Sequence, residues 1–152
     1  MKKINTTRFG EIEEDEGKII TFSQGIPAFE DEHEFVLLPV EEGSPYWFMQ
    51  SVHTPGLAFL ITTPFVFFSD YEFSLEDAVV QSMGITKEED LSVYVLLTVP
   101  PEGIRAMTAN LLAPVVINTQ NQQARQIILE KSHYTTKHRL FQKPDAPAKE
   151  AD

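Results

Sequence analysis

The stretch "YWFMQSVHTPGLAFLITT", residues 46–63, contains two apolar segments separated by the tetrapeptide "HTPG". Both segments are rich in aromatic or branched side chains, which favour β-strands. Pro55 and Gly56 are typical turn residues, so the chain is expected to reverse its direction between the two segments. We therefore predict two β-strands joined by this turn.

Apolar segments of similar length recur on both sides of this pair. Because the strands follow one another with few helices between them, antiparallel pairing is expected. Several segments are apolar on both faces, so the sheet is expected to close or fold over on itself. We predict a mainly β, small antiparallel β-barrel-like single domain with one or two short helices, and a two-layer sandwich as the alternative. The further strands are expected in "EFVLLPV" (34–40), "LSVYVLLTVP" (91–100), "NLLAPVVIN" (110–118) and "ARQIILE" (124–130), with a hairpin in "TRFGEIEEDEGKIITF" (7–22).

Local signals place the turns, the helices and the end of the domain. The turn of the first hairpin is expected at residues 15–17, which include a glycine. A helix is expected within residues 74–84, with Ser74 as its N-cap and Gly84 at its end. The segment "TKEED" (86–90) has capping-box spacing and predicts a second short helical turn. The domain is expected to span residues 1–142, followed by a disordered tail, 143–152, of proline, alanine and charged residues.

The charge of the chain is strongly acidic and uneven. Lys and Arg number 12 and Asp and Glu number 23, which gives a net charge of −11. Residues 1–90 carry 5 basic and 18 acidic side chains, a net of −13, whereas the remainder carries a net of +2. This balance argues against direct binding to nucleic acid, which requires basic side chains. An acidic surface attracts a basic partner, and the alternative is that the acids keep the protein soluble.

The sequence offers no chemistry typical of an enzyme. There is no cysteine, which excludes disulfides and thiolate sites and fits a reducing compartment. There is also no G-x-S-x-G motif, no glycine-rich phosphate loop and no pair of histidines at metal-ligand spacing. We therefore expect no catalytic site, no cofactor and no metal, with an enzyme of dispersed site as the alternative. Without a secretory signal or a membrane-spanning run, the protein is expected to be soluble and cytoplasmic.

The aromatic stretch "PFVFFSDYEF", residues 64–73, predicts a strand that ends in a contact edge. Residues 65–68 are apolar on both faces of a strand and are expected to lie in the core. Residues 70–73 then alternate charged and aromatic side chains, and aromatic anchors ringed by polar groups are typical of binding hot spots. The alternative is that Tyr71 and Phe73 cap the core while Asp70 and Glu72 point to water.

The segment "NLLAPVVIN" raises a similar question. Pro114 cannot donate a hydrogen bond to a neighbouring strand, so this strand is expected at an edge of the sheet or at a bulge. Asn110 is expected to cap a turn or a bulge, with a contact to a partner as the alternative.

Five segments stand out together: "FSQGIPAFE" (22–30), "PYWFMQS" (45–51), "LAFLITTPFVFFSDYE" (57–72), "MTANLLAPVVIN" (107–118) and "RQIIL" (125–129). They resemble the FliW family of flagellar assembly factors, over about residues 3–140. The usual Leu-Pro-Gly-Phe of that family is replaced by Ile-Pro-Ala-Phe, so Ala28 stands where a glycine is common. A positive φ costs alanine more free energy than glycine, so the replacement puts the conformation of this turn in question.

The resemblance implies a cytoplasmic binding protein with a compact β-barrel-like fold and two partners. One partner is flagellin, held before export as by a chaperone, and a flagellin segment could add to the edge strand expected near Pro114. The other is CsrA, a basic RNA-binding repressor of translation, which the factor antagonises once flagellin has left the cell. The acids could compete in the RNA groove of CsrA or dock beside it, and the resemblance favours the second. The alternative is a general acidic β-barrel chaperone or scaffold without a regulatory role.

The candidate protein-binding residues combine the contact edge, the acidic N-terminal part and the polar residue that begins "NLLAPVVIN". They are Asp70, Tyr71, Glu72, Phe73, Glu13, Glu14 and Asn110.

Overall fold

The hairpin expected in residues 46–63 is present, and its two strands pair antiparallel with Phe48 opposite Leu60. The computed structural model describes residues 1–141, so the tail expected at 143–152 lies outside the described residues. The strands are β1 (Lys2–Thr6), β2 (Gly10–Glu14), β3 (Ile20–Phe22), β4 (Glu34–Pro39), β5 (Tyr46–Ser51), β6 (Ala58–Thr62), β7 (Leu91–Thr98), β8 (Thr108–Ala109), β9 (Val115–Asn118), β10 (Gln123–Gln126) and β11 (His138–Arg139). One α-helix, α1 (Asp77–Ser82), and four 3-10 helices, Glu16–Lys18, Pro64–Val66, Glu88–Asp90 and Ile104–Ala106, complete the described elements.

Seven of the strands form a closed barrel, which confirms the predicted fold class. The order around the barrel is β7, β6, β5, β4, β3, β10 and β9, and β9 pairs again with β7. All neighbours are antiparallel except β3 and β10, which run parallel. Two short strands, β8 and β11, continue the sheet from the end of β7, and β1 with β2 forms a separate hairpin.

The barrel interior is filled by side chains that alternate along its strands. Its fully buried members include Phe22, Phe35, Met49 and Ile61. A second buried cluster lies around β8 and β11 and includes Tyr71, which comes from outside the barrel strands. This second cluster carries the candidate site, because it joins the segment after β6 to the C-terminal part of the described chain.

The turn of the first hairpin lies earlier than predicted. The side chain of Thr6 closes it, because its Oγ1 donates to the Gly10 carbonyl at 2.9 Å and accepts from the Phe9 N–H at 2.8 Å. Gly10 has a φ of 70°, which suits the turn. The prediction of a turn at 15–17 is therefore wrong: a 3-10 helix lies there and leads into β3.

The segment "NLLAPVVIN" is not one strand, and β9 is not at an edge. A turn at residues 110–113 separates β8 from β9, and β9 pairs with β7 on one side and β10 on the other. Pro114 lies just before β9 and uses only its carbonyl, which accepts from Ile127 N–H at 2.9 Å. A proline outside the strand leaves the ladder intact, so the edge-strand prediction and the proposed strand addition there are wrong.

The two predicted helical segments are present with one corrected boundary. Glu76 occupies the N-cap position of α1, so the prediction for Ser74 is wrong. Gly84 follows the helix with a φ of 69°, as predicted. The 3-10 helix in 86–90 confirms the second helical turn. Ala28 does adopt a positive φ, 73°, and its N–H donates to Glu30 Oε2 at 3.1 Å, which supports this turn locally.

Candidate protein-binding site

The segment after β6 does not continue as a strand, so the strand predicted at residues 65–68 is wrong, and the predicted core packing holds for Phe67 and Phe68 but not for the two residues before them. Pro64 begins a 3-10 helix in which Phe65 and Val66 are 48% and 64% exposed. Phe67 and Phe68 are half-buried against the second cluster. The N–H of the first residue in a helical turn has no partner within the turn, so proline, which has no N–H, is well suited to this position. The chain can therefore leave the barrel at Pro64.

Residues 70–73 follow this helix, and we call them the contact ridge. Asp70 and Glu72 are exposed, Phe73 is half-buried, and Tyr71 is only 4% exposed. The acids of the contact ridge therefore face solvent while Tyr71 points into the protein. A partner arriving at this surface would meet the two carboxylates first.

Tyr71 fastens the contact ridge to the second cluster. Its hydroxyl donates to the Leu111 carbonyl at 2.7 Å. Its ring packs edge-on against Tyr134 at 4.7 Å and at a tilt against Phe73 at 5.5 Å between ring centroids. Burial, with a smaller contribution from Tyr134, raises the pKa of Tyr71 far above its usual range. Tyr71 is thus a neutral hydrogen-bond donor that positions its charged neighbours.

Tyr134 holds the contact ridge from the other side, and the sequence analysis did not identify it. Its hydroxyl accepts from the Glu72 N–H at 3.1 Å and donates to the Glu72 carbonyl at 3.2 Å. The two residues are separated by 62 positions. A single tyrosine in a polar segment gives no sequence signal for such a contact.

Asn110 caps a turn, as predicted, and this turn supports the contact ridge. Its Oδ1 accepts from the Ala113 N–H at 3.0 Å, and its own N–H donates to the Leu96 carbonyl at 2.9 Å. Leu111, whose carbonyl accepts from Tyr71, lies within this turn. The structure therefore brings Asn110 close to the contact ridge as a supporting residue.

Glu13 and Glu14 lie elsewhere, on strand β2 of the separate hairpin. Lys3 stands opposite Glu13 across the strand pair, and Lys2 stands opposite Glu14. Glu13 is exposed, whereas Glu14 is half-buried and lines a small cleft of about 200 Å³ with Lys18 and other residues. No residue of the contact ridge lines that cleft. The candidate residues therefore form two separate regions.

Three grooves meet at the contact ridge. One, of about 400 Å³, lies between the ridge and residues 127–132. A second, of about 680 Å³, lies towards residues 85–93 and includes the exposed Phe65. A third, of about 610 Å³, lies towards residues 132–138. The acids of the ridge thus border concave surfaces on several sides.

Within the described part of the chain, neither a group of potential metal ligands nor a membrane-spanning helix accompanies these grooves. Within residues 1–141, His, Asp and Glu side chains form no group of three or more that could hold a metal ion. Among the helices of the same range, none combines the length and the apolar character needed to cross a membrane.

His138 contributes to the packing that supports the contact ridge. Its Nε2 accepts from the Thr135 N–H at 2.8 Å, which requires a neutral ring at this nitrogen. The ring also packs edge-on against Tyr134 and Phe68. Burial, and then the nearby His133, lower the pKa of His138 below its usual value.

We expect the protein to lose stability as the pH falls below the ordinary histidine pKa of about 6.5. In this window the unfolded chain binds a proton that the folded chain binds less readily, so protons favour unfolding. The measurement is the melting temperature at pH 7.5 and pH 5.5 for the wild type and for His138→Gln. The wild type should lose more of its melting temperature than the variant, and equal losses would contradict the assignment.

The closed seven-stranded barrel with a separate hairpin defines a class of small β-barrel protein, and its contact ridge exposes the two carboxylates of Asp70 and Glu72. The chain matches the family model described as "FliW protein" over residues 3–140. It belongs to the FliW family, as the sequence resemblance predicted.

Individual relatives agree with this assignment. The chain is 46% identical to the flagellar assembly factor FliW of Geobacillus sp. (strain WCH70), over 97% of this chain and 99% of the relative. It is 45% identical to the FliW of Heliobacterium modesticaldum, over 91% and 90% of the two chains. It is 42% identical to the FliW of Bacillus subtilis (strain 168), over 89% and 94%. A crystal structure of the flagellar assembly factor FliW superposes with a TM-score of 0.89 at 44% identity, covering 95% of this chain and 100% of that one.

Proposed function

We propose that this protein is a cytoplasmic, non-enzymatic flagellar assembly factor that binds flagellin and antagonises the translational repressor CsrA. Flagellin bound to the factor is held before export, and export frees the factor to bind CsrA. Flagellin export is thereby coupled to flagellin synthesis. The observation that carries the proposal is membership of the FliW family along residues 3–140, together with relatives named as flagellar assembly factors.

The charge of the protein supports a basic partner. An RNA-binding repressor is basic where it meets phosphate, and a protein of net charge −11 attracts such a surface over a distance. The acids of the contact ridge and of β2 are exposed at Asp70, Glu72 and Glu13. Electrostatic attraction of this kind mainly raises the association rate.

The attachment of the contact ridge supports its use as a binding surface. Tyr71 and Tyr134 fix its backbone from two sides, so Asp70 and Glu72 project from a segment that is already ordered. Ordering a surface before binding reduces the entropy lost in the complex. Tyr71 itself acts as a positioning residue in this proposal.

Raising the salt concentration from low to physiological ionic strength should slow the association of CsrA more than it speeds dissociation. Salt screens charges separated by more than about 8–10 Å, and this removes long-range attraction before it weakens close contacts. Stopped-flow fluorescence measures both rates. An association rate that is independent of salt would remove the electrostatic account.

Two variants with the same change of charge localise the effect. Glu72→Lys lies on the contact ridge, whereas Glu41→Lys lies on the exposed loop between β4 and β5. We expect Glu72→Lys to weaken CsrA or flagellin binding by more than Glu41→Lys does. If the two variants bind both partners alike, the contact ridge is not part of either interface.

A further inference from the structure

We propose that the groove between the contact ridge and residues 127–132 binds an extended peptide segment in which basic side chains alternate with apolar ones. The segment adds to the protein as a short β-strand. This inference rests on the proposed function only in assuming that the protein binds other proteins, and it specifies the chemistry of the bound segment.

One wall of the groove has an unused strand edge. Beyond β10, Ile127 N–H donates to the Pro114 carbonyl at 2.9 Å, and Leu129 N–H donates to the Leu112 carbonyl at 2.8 Å. These bonds extend the antiparallel pairing with β9 on one side only. On the opposite side, β3 pairs with β10 only as far as Ala124. The chain from residue 125 onward therefore has an edge without a partner strand in the described structure.

Ile128 places this unused edge at the groove. Since the residues on either side of it bond towards β9, its own N–H and carbonyl point the other way. Its N–H has no hydrogen-bond partner within residues 1–141, and its side chain is 58% exposed. Ile128 also lines the groove. A backbone donor, a backbone acceptor and an exposed apolar side chain are what an added strand uses.

The opposite wall also has free backbone donors. The N–H groups of Phe73 and Ser74 bond to no other described residue. The groove measures about 400 Å³, and its lining includes apolar side chains from Phe73, Val79, Ile127 and Leu129. An extended segment in the groove would therefore find apolar contacts on its floor and backbone partners at its sides.

The charges at the rim select the sequence of that segment. Glu72, Glu76 and Glu130 line the groove and are exposed, and Lys131 is the one basic side chain in its lining. Alternate side chains of a strand point to opposite faces, so apolar residues can reach the floor while basic residues between them remain near the three carboxylates. An acidic segment would be repelled.

The test uses a short, end-capped, fluorescein-labelled peptide in which Lys alternates with Leu or Val, followed by fluorescence anisotropy. The wild type should bind this peptide, and should not bind the same peptide with Glu in place of Lys. The double variant Glu76→Lys, Glu130→Lys should bind at least about tenfold more weakly, because each reversal replaces an attraction to a peptide lysine by a repulsion, and these four exposed contributions together exceed the 1.4 kcal/mol of a tenfold change. Glu41→Lys with Glu42→Lys makes the same change of charge away from the groove and should bind like the wild type.

A second pair of variants tests the strand addition. Ile128→Pro removes the N–H that no described residue uses, and should abolish binding without a large fall in melting temperature. Ile128→Val keeps the N–H and should bind nearly as the wild type does. If Ile128→Pro fails to fold, the charge variants still decide the outcome.

Several results would overturn the inference. These are equal binding of the Lys and Glu peptides, no binding of either, or wild-type binding by the double charge variant. Self-association that Ile128→Pro abolishes, without peptide binding, would assign the groove to a second copy of the chain instead. Titration of the wild type with intact CsrA and intact flagellin separates the two proposals. If the intact proteins bind and the peptide does not, only the groove inference fails; if the peptide alone binds, the proposed function fails.

Discussion

Replacing Tyr71 with Ala is expected to lower the free energy of unfolding by about 3–5 kcal/mol, as for other large buried aromatic residues. The side chain is 4% exposed and packs against Tyr134 and Phe73. The substitution also removes the hydrogen bond to the Leu111 carbonyl. Urea denaturation followed by circular dichroism measures the loss. Binding should weaken as well, because the contact ridge loses its attachment.

Two further variants separate packing from hydrogen bonding. Tyr71→Phe keeps the ring and leaves the Leu111 carbonyl without this donor, so we expect a loss of about 1–3 kcal/mol. Phe65→Ala removes an aromatic side chain that is 48% exposed, and should cost less than Tyr71→Ala. A Tyr71→Ala protein as stable as the wild type would show that Tyr71 is not part of the core.

Replacing Gln50 with Glu is expected to destabilise the protein by about 3–5 kcal/mol, the usual effect of an uncompensated buried charge. Gln50 is fully buried, and its Nε2 lies 3.1–3.4 Å from four backbone carbonyls, those of Ser51, Thr54, Pro55 and Leu57. Its Oε1 has no partner among the described residues. A carboxylate at this position would face four acceptors and find no donor. Urea denaturation at neutral pH measures the loss.

The pH dependence of this variant provides an internal check. Burial raises the pKa of the new carboxyl group in the folded state above its unfolded value. The penalty is complete above the folded pKa and disappears as the pH falls below the unfolded one. Gln50→Met keeps the length of the side chain without a charge, and its loss should not vary with pH. A Gln50→Glu variant whose deficit is constant between pH 7 and pH 4 would contradict this account.

The strands of the barrel could be predicted from the sequence where neighbouring residues alone indicate a strand or a turn. The strands in 46–63 follow from side-chain pattern and from the turn at Pro55 and Gly56, and both are present. Closure of the barrel was expected only in general terms. The parallel pairing of β3 with β10 and the second pairing of β9 with β7 join segments far apart in the sequence, which a local pattern does not specify.

The sequence shows that the contact ridge contains acidic and aromatic residues, but it does not show their backbone conformation or which of them are buried. The apolar run at 65–68 and the alternation at 70–73 both suit a strand, but Pro64 begins a 3-10 helix that leaves Phe65 exposed. Tyr71 is buried, and its hydroxyl donates to the Leu111 carbonyl, 40 positions away. Such partners are fixed by tertiary structure, so the burial of one aromatic residue in a mixed segment does not follow from its neighbours.

Isothermal titration of the purified protein with CsrA, with and without saturating flagellin, tests the central claim most directly. The account predicts saturable binding of CsrA to the free protein and loss of that binding when flagellin is present. Absence of CsrA binding to the free protein, or CsrA binding that flagellin leaves unchanged, would contradict it.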